Sequence, residues 1–223
     1  MNTLKKLITE SSHLSDEALA QKADSLLHIH TEEIQTDGKD TFHFHRYEPT
    51  PYRVLQILFD HLDIRETDTL LDYGSGLGRS AFYANYLFQC RGIGIEQSAE
   101  FHRMALKNRN RYRGIYRDRL CFIHASAEEY DLPGGVNYIY CFNPFSTAIF
   151  RSVMTKIETS FEQRERDITL ILYYPEDDTI FYIERHTPFQ LLCEIPVPDL
   201  IEKDRRERFC LYRLCASCRI NGR

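Results

Sequence analysis

The chain has 223 residues, 43% of them hydrophobic and 27% charged, with a formal net charge of −5. Those proportions are close to the average for soluble globular proteins and allow one sizeable core. No apolar run approaches the roughly 20 residues that span a bilayer. Met1 to Ser15 lacks the unbroken apolar stretch of a secretory signal, so the sequence reads as intracellular and cytoplasmic. The acidic balance gives no global argument for nucleic acid. The seven cysteines are an odd number scattered through apparent strands, which is no disulfide framework. Cys215 and Cys218 form a C-x-x-C without a second pair, a weak metal signal, and no metal is expected.

From the start of the chain, Leu4, Leu7, Ile8, Leu14, Ala18, Leu26, Leu27 and Ile29 recur at helical intervals. They predict one or two amphipathic helices, the second capped by Ser15 ahead of Asp16 and Glu17. Thr31 to Pro51 is polar and aromatic and reads as a connection over the surface or a cleft. Its His43 and His45 share one face of an extended segment, but without a further ligand they read as surface histidines. A helix over Tyr52 to Leu62 follows. Strands are then predicted at Thr69–Asp72, Gly92–Glu96, Leu120–His124, Val136–Phe142 and Ile168–Tyr174. Helices are predicted at Leu77–Phe88, Ala99–Arg111 and Thr147–Phe161. Strand alternating with helix predicts βαβ units and a mostly parallel sheet with helices on both faces. Phe189–Val197 and Phe209–Leu214 look like two strands with only a polar link between them, an antiparallel pair closing one sheet edge. The fold class expected is therefore α/β, doubly wound, with a mostly parallel seven-stranded sheet, a C-terminal antiparallel hairpin and an N-terminal helical extension.

The chemistry starts at Asp72-Tyr73-Gly74-Ser75-Gly76-Leu77-Gly78, between the first of these strands and its helix. Glycines there allow a tight turn and close approach of the backbone to a ligand. The helix start presents unpaired N–H groups and a positive dipole end. A dinucleotide fingerprint reads G-x-G-x-x-G. Here the third glycine comes one residue early, and Asp72 precedes the loop. A carboxylate at that place repels a pyrophosphate and suits an ammonium group. Glu96, at the end of the second strand, can accept hydrogen bonds from both hydroxyls of a ribose.

Asp72, Gly74, Gly76 and Gly78 match the acid-x-G-x-G-x-G motif, and Glu96 the ribose acid, of class I, Rossmann-like methyltransferases that use S-adenosyl-L-methionine. The resemblance covers roughly Tyr52 to Tyr174, and more loosely the last two strands. It implies S-adenosyl-L-methionine as cofactor, held by Asp72, Gly74, Ser75, Gly76, Gly78 and Glu96. It places Ala127 against the adenine, with Ser126 or Glu128 at its edge. The fourth strand ends in Cys141-Phe142-Asn143-Pro144-Phe145, similar to the N-P-P-F/Y motif of methyltransferases acting on planar nitrogens, with one proline missing. By that likeness Asn143 and Phe145 are the catalytic candidates, Asn143 also bordering the cofactor. Tyr47-Glu48-Pro49-Thr50-Pro51-Tyr52 resembles a lead-in of poorly characterised bacterial methyltransferases and, loosely, the tyrosine-containing loops of histone-lysine methyltransferases on this fold. Tyr47 and Tyr52 are substrate-side or cofactor-side candidates on that ground.

The basic run Arg103, Lys107, Arg109, Arg111, Arg113, Arg117 and Arg119, with Tyr112 and Tyr116, suits phosphate backbones. In an acidic chain it reads better as a solvated helix face, so nucleic acid is the less favoured partner. Residues 1–45 are read as a helical extension and the start of a cover segment, and residues 46–223 as the methyltransferase domain. The expected function is methyl transfer to an unidentified acceptor, such as a nitrogen on a nucleobase, protein or small molecule. The alternative is a non-catalytic cofactor-binding or interaction module on the same fold.

Overall fold

A computed structural model describes residues 3–32, 47–142 and 146–216. Seven strands run β1 (Thr69–Tyr73), β2 (Arg91–Glu96), β3 (Leu120–His124), β4 (Tyr138–Phe142), β5 (Ile168–Tyr173), β6 (Gln190–Pro196) and β7 (Arg208–Leu214). They form one sheet in the order β3-β2-β1-β4-β5-β7-β6. All pairs from β3 to β5 are parallel, and β7 is antiparallel to both of its neighbours. The chain leaves β1 toward β2 and β3 and returns to β4 on the other side of β1. The crevice at the carboxyl ends of β1 and β4 is thus the switch point where such sheets bind ligands.

The helices are α1 (Thr3–Glu10), α2 (Asp16–Leu27), α3 (Tyr52–Phe59), α4 (Arg79–Phe88), α5 (Ala99–Arg111), α6 (Thr147–Gln163) and α7 (Asp177–His186). Strand residues alternate between two cores, as a pleat requires. Leu70, Tyr140, Ile171, Tyr173, Phe209 and Leu211 join the core beneath α1 to α5. Leu71, Ile139, Cys141, Leu170, Leu172 and Tyr212 join the opposite core with Val153, Met154, Ile157 and Phe161 of α6. Asp72 shares the pleat face of Leu70 and is registered beside Tyr140.

Sequence and structure agree on the order of strands and on most helices. Ser15 caps α2 by accepting from the Ala18 N–H at 3.2 Å. The helix expected to reach Leu62 stops at Phe59. The His61 and Leu62 N–H groups bond three residues back, to Leu58 and Phe59, which tightens the last turn. α4 begins at Arg79 rather than Leu77 because Gly76 and Gly78 have φ of 52° and 93°, outside any right-handed helix. α7 has no counterpart in the sequence reading. Ile183 is its one buried residue, so its apolar stripe is short, although acids open the helix and Arg185 and His186 close it.

α1, α2 and α3 pack on one another and share the first core, where Leu4, Ile8, Leu19 and Leu27 meet Tyr52, Leu55 and Leu58. Arg53 of α3 donates to the carbonyls of Ser11 and Leu14 at 2.7 and 2.8 Å and pairs with Asp16. Asn108 of α5 fastens this unit to the glycine turn. Its Oδ1 accepts from the His30 N–H at 2.9 Å, and its Nδ2 donates to the carbonyls of His30 (2.8 Å) and Leu77 (3.1 Å). Asn108 is buried, so removing it takes the side-chain partner from three backbone groups, and the bond to the Leu77 carbonyl is fully buried. Asn108→Ala is therefore expected to lower stability by roughly 2–4 kcal/mol in urea denaturation; a change near zero would show that the clamp carries no load.

Candidate active site

The turn between β1 and α4 is built from glycines that no other residue could replace without strain. Gly74, Gly76 and Gly78 have φ of 76°, 52° and 93°. A Cβ on Gly78 would lie 2.6 Å from the Phe122 ring and 2.9 Å from Phe82, and one on Gly76 would collide with the Tyr47 ring. Gly74 and Ser75 N–H both donate to the Ile95 carbonyl, at 2.9 and 3.0 Å, which ties the turn to the end of β2. The Ser75 hydroxyl is buried with no hydrogen-bond partner among the described residues.

Glu96 completes this attachment. Its Oε2 accepts from the Gly76 N–H at 2.8 Å and its Oε1 from the Ser98 N–H at 2.7 Å. The carboxylate is thereby fixed in orientation, and each oxygen keeps a second lone pair for a ligand hydroxyl. Asp72 is buried one strand away and accepts from the Ser80 hydroxyl. Burial pushes its carboxyl up to about 7; the Ser80 bond opposes this and the charge of Glu96 adds to it. A buried acid that ionises reluctantly beside a glycine turn is suited to a cationic ligand.

Tyr47 rests its ring over Gly76, 5.3 Å from the Phe101 ring of α5. Its hydroxyl donates to the Thr31 carbonyl at 3.1 Å. Tyr52 lies deeper, its hydroxyl donating to Asp24 Oδ1 at 2.6 Å. Thr50 and Tyr140 share a hydrogen bond of 2.6 Å, so the segment from Tyr47 to Thr50 crosses from the turn to β4. Ser126 donates to Glu129 at 2.7 Å, just beyond β3, and Ala127 is buried in the second core. Asn143 and Phe145 lie outside the described residues, as do His43, His45 and Cys218. Cys215 is buried beyond β7, and no three His, Cys, Asp or Glu side chains among the described residues group as metal ligands.

Of the basic run, Arg103 donates to the Ala99 carbonyl at 3.2 Å and Arg117 pairs with Asp118, while two further members tie separate elements together. Arg109 donates to the Leu120 carbonyl at 2.7 Å. Arg119 binds Glu66 and the Gln89 carbonyl, both at 2.7 Å, with its guanidinium over Tyr116. No helix among the described residues is long and apolar enough to cross a membrane.

Sequence reasoning missed a cluster of rings and charges at the carboxyl ends of β4 and β5. Phe142, Tyr173 and Phe209 are neighbours across β4, β5 and β7, with ring centroids 4.8 and 4.7 Å apart. The link between β6 and β7 returns to this edge: Glu207 accepts from the Tyr173 hydroxyl, and Asp204 from the Tyr174 hydroxyl at 2.5 Å. Arg206 lies over the Tyr174 ring and binds Glu176 at 2.7 Å. Burial holds the Tyr173 phenol above its ordinary range, helped by the Glu207 hydrogen bond and by the charges of Glu207 and Glu48. Read as a sequence, the stretch is only a mixed-charge link; hydrophobic Tyr-Tyr at the end of β5 was its one signal.

Comparison with known proteins agrees with this geometry. The family model described as histone methylation protein DOT1 matches residues 29–124, which contain the glycine turn and Glu96. No curated protein sequence matches the chain. Among solved structures, an RNA methyltransferase from Salinibacter ruber in complex with S-adenosyl-L-homocysteine is 20% identical. It covers 75% of this chain and 93% of its own at a TM-score of 0.54. The glycopeptide N-methyltransferase MtfA complexed with S-adenosyl-L-methionine is 12% identical, with a TM-score of 0.55 and coverage of 73% and 92%. A SAM-dependent methyltransferase from Aquifex aeolicus is 13% identical, with a TM-score of 0.55 and coverage of 73% and 89%.

The Asp72 geometry makes stability depend on pH. The folded carboxyl titrates near 7 and the unfolded one near its ordinary 3.8, so between those values the folded chain holds the extra proton. Stability should fall as pH rises through that window, and Asp72→Asn should flatten the fall in chemical denaturation at pH 4.5 and 7.5. An unchanged slope would contradict the burial argument. The structural likenesses give the fold, which is that of the solved S-adenosyl-L-methionine-dependent methyltransferases, and the family model covers the glycine turn and Glu96.

Proposed function

We propose that this chain is a methyltransferase that acts on an amine nitrogen brought to the carboxyl edge of β4 and β5, and that its donor lies along the glycine turn. The donor residues fit the group. Asp72 suits the ammonium of the methionine part, Glu96 the ribose hydroxyls, and Ser75, Gly76 and Gly78 leave room for close passage. Ser126 and Ala127 belong to the adenine end in this reading. Asn143 and Phe145, which lie outside the described residues, are the catalytic candidates in this reading on the ground of their motif alone. In this reading the methyltransferase domain is 46–223, and α1 and α2 belong to an N-terminal extension packed on α3.

The observation that carries the acceptor class is the cluster at the sheet edge. Phe142 and Tyr173 present aromatic rings 4.8 Å apart, and Glu207 and Glu48 bring carboxylates to the same tyrosine. Rings with carboxylates favour a protonated amine over a phosphate backbone, which the acids would repel. The family description, which speaks of histone methylation, points the same way, toward a protein amine.

When bound, the donor supplies an electrophilic methyl group on a sulfonium. The chain itself has to gather the amine, orient it and let one proton leave. Glu48 is exposed, so an ammonium held there can give its proton to water and expose its lone pair. The N–C bond would form as the S–CH3 bond breaks, leaving a neutral thioether and restoring the positive charge on nitrogen, which the neighbouring rings would favour. Placement of the nucleophile in line is the main contribution of the protein.

The test is methylation with a tritiated methyl donor, offered total cell protein and total RNA in parallel. Label is expected in protein, and Glu48→Gln should lower kcat/KM for the labelled substrate about tenfold, equivalent to about 1.4 kcal/mol. Label confined to RNA would overturn the amine reading while leaving donor use intact.

A further inference from the structure

We propose that Arg79 is a positioning residue for the donor, holding Tyr47 on the glycine turn through the Thr31 carbonyl and so making the N-terminal helices part of the donor site. The inference rests on the reading of the glycine turn as the donor site.

Arg79 is the first residue of α4 and follows Gly78 directly, yet its side chain is buried, at 6% exposure. Its guanidinium turns toward the N-terminal unit. Nε donates to Thr31 Oγ1 at 2.7 Å, Nη2 to the Thr31 carbonyl at 2.6 Å, and Nη1 to the Thr50 carbonyl at 3.3 Å. Its plane lies over the Tyr52 ring, with the central carbon 4.8 Å from the centroid. The counter-charge is Asp24 of α2, 2% exposed, which binds both the Thr31 hydroxyl at 2.9 Å and the Tyr52 hydroxyl at 2.6 Å.

The polarity of these bonds is consistent throughout. The Thr31 hydroxyl donates to Asp24 and accepts from Arg79. The Thr31 carbonyl uses both lone pairs, one for Arg79 and one for the Tyr47 hydroxyl. Tyr47, whose ring covers Gly76, is therefore held by the same oxygen that Arg79 fixes. Lysine could not reproduce this, because it has no planar fork to reach Thr31 Oγ1, the Thr31 carbonyl and the Thr50 carbonyl together. A buried cation and a buried carboxylate linked through Thr31 and Tyr52 are a costly way to fill space, and well-packed apolar residues would do that better. What the arrangement supplies is a fixed place for Thr31, Thr50 and Tyr47 against the start of α4.

The experiment is a double-mutant cycle on S-adenosylhomocysteine binding, read by calorimetry, with Tyr47→Phe and Arg79→Lys as mild variants. Wild type is expected to bind. Each single variant should weaken binding about five- to tenfold, and the double variant should be no weaker than the worse single one, because both break one path. The melting temperature of Tyr47→Phe should stay at the wild-type value, which separates positioning from support of the fold. Unchanged affinity in Arg79→Lys, or a double variant that multiplies the two losses, would overturn the proposal. Failure of wild type to bind would remove the donor reading itself, and the proposal with it.

Discussion

Everything at the active edge of this molecule depends on how the turn between β1 and α4 is fastened to β2. Three glycines at positive φ let the backbone fold back on itself, and two N–H groups then close on the Ile95 carbonyl. Glu96 completes the closure by binding the Gly76 and Ser98 N–H groups with its two oxygens. One carboxylate thus serves two ends: it shapes the turn, and it stands ready for a ligand hydroxyl in a fixed direction. The turn tolerates nothing larger than hydrogen at Gly76 or Gly78, since Tyr47, Phe122 and Phe82 already occupy the space.

Around that turn the protein gathers charges in a place where charge is expensive. Asp72 is held near neutrality by burial, Arg79 and Asp24 are buried on the side of the N-terminal helices, and Glu48 and Glu207 flank Tyr173. Acids thus line the edge from the glycine turn to β5, where Arg206 pairs with Asp204 and Glu176, and the buried Arg79 beside the turn is directed toward Thr31. A cationic donor and an amine acceptor both fit such a field, and a sheet edge with aromatic rings gives the acceptor an apolar platform. The segment from Tyr47 to Thr50 touches both halves, through Gly76 at one end and Tyr140 at the other.

What the sequence made legible was local. Asp72, the spacing of Gly74, Gly76 and Gly78, and Glu96 at the next strand end are chain-close features, and the turn they predict is the one the structure forms. The alternation of strands and helices likewise gave the sheet, because each element carries its own period. The sequence said nothing of Arg79 with Thr31, or of Tyr173 with Glu207, because the partners are 48 and 34 residues apart. Asp24 stands in an amphipathic helix with nothing in its neighbourhood of the chain to mark it, and it is buried in the fold. α7 was missed for the opposite reason: its apolar stripe is a single buried residue. Tyr52, read as a possible pocket residue, lies behind the turn with its hydroxyl on Asp24.

The central claim is that Asp72, the glycine turn and Glu96 form one site for S-adenosyl-L-methionine, opening toward the carboxyl edge of β4. A crystal soaked with S-adenosylhomocysteine tests it most directly. The account predicts density with the amino-acid part beside Asp72, the ribose on Glu96 and the sulfur toward the end of β4. Density elsewhere on the molecule, or none at saturating ligand, would contradict it.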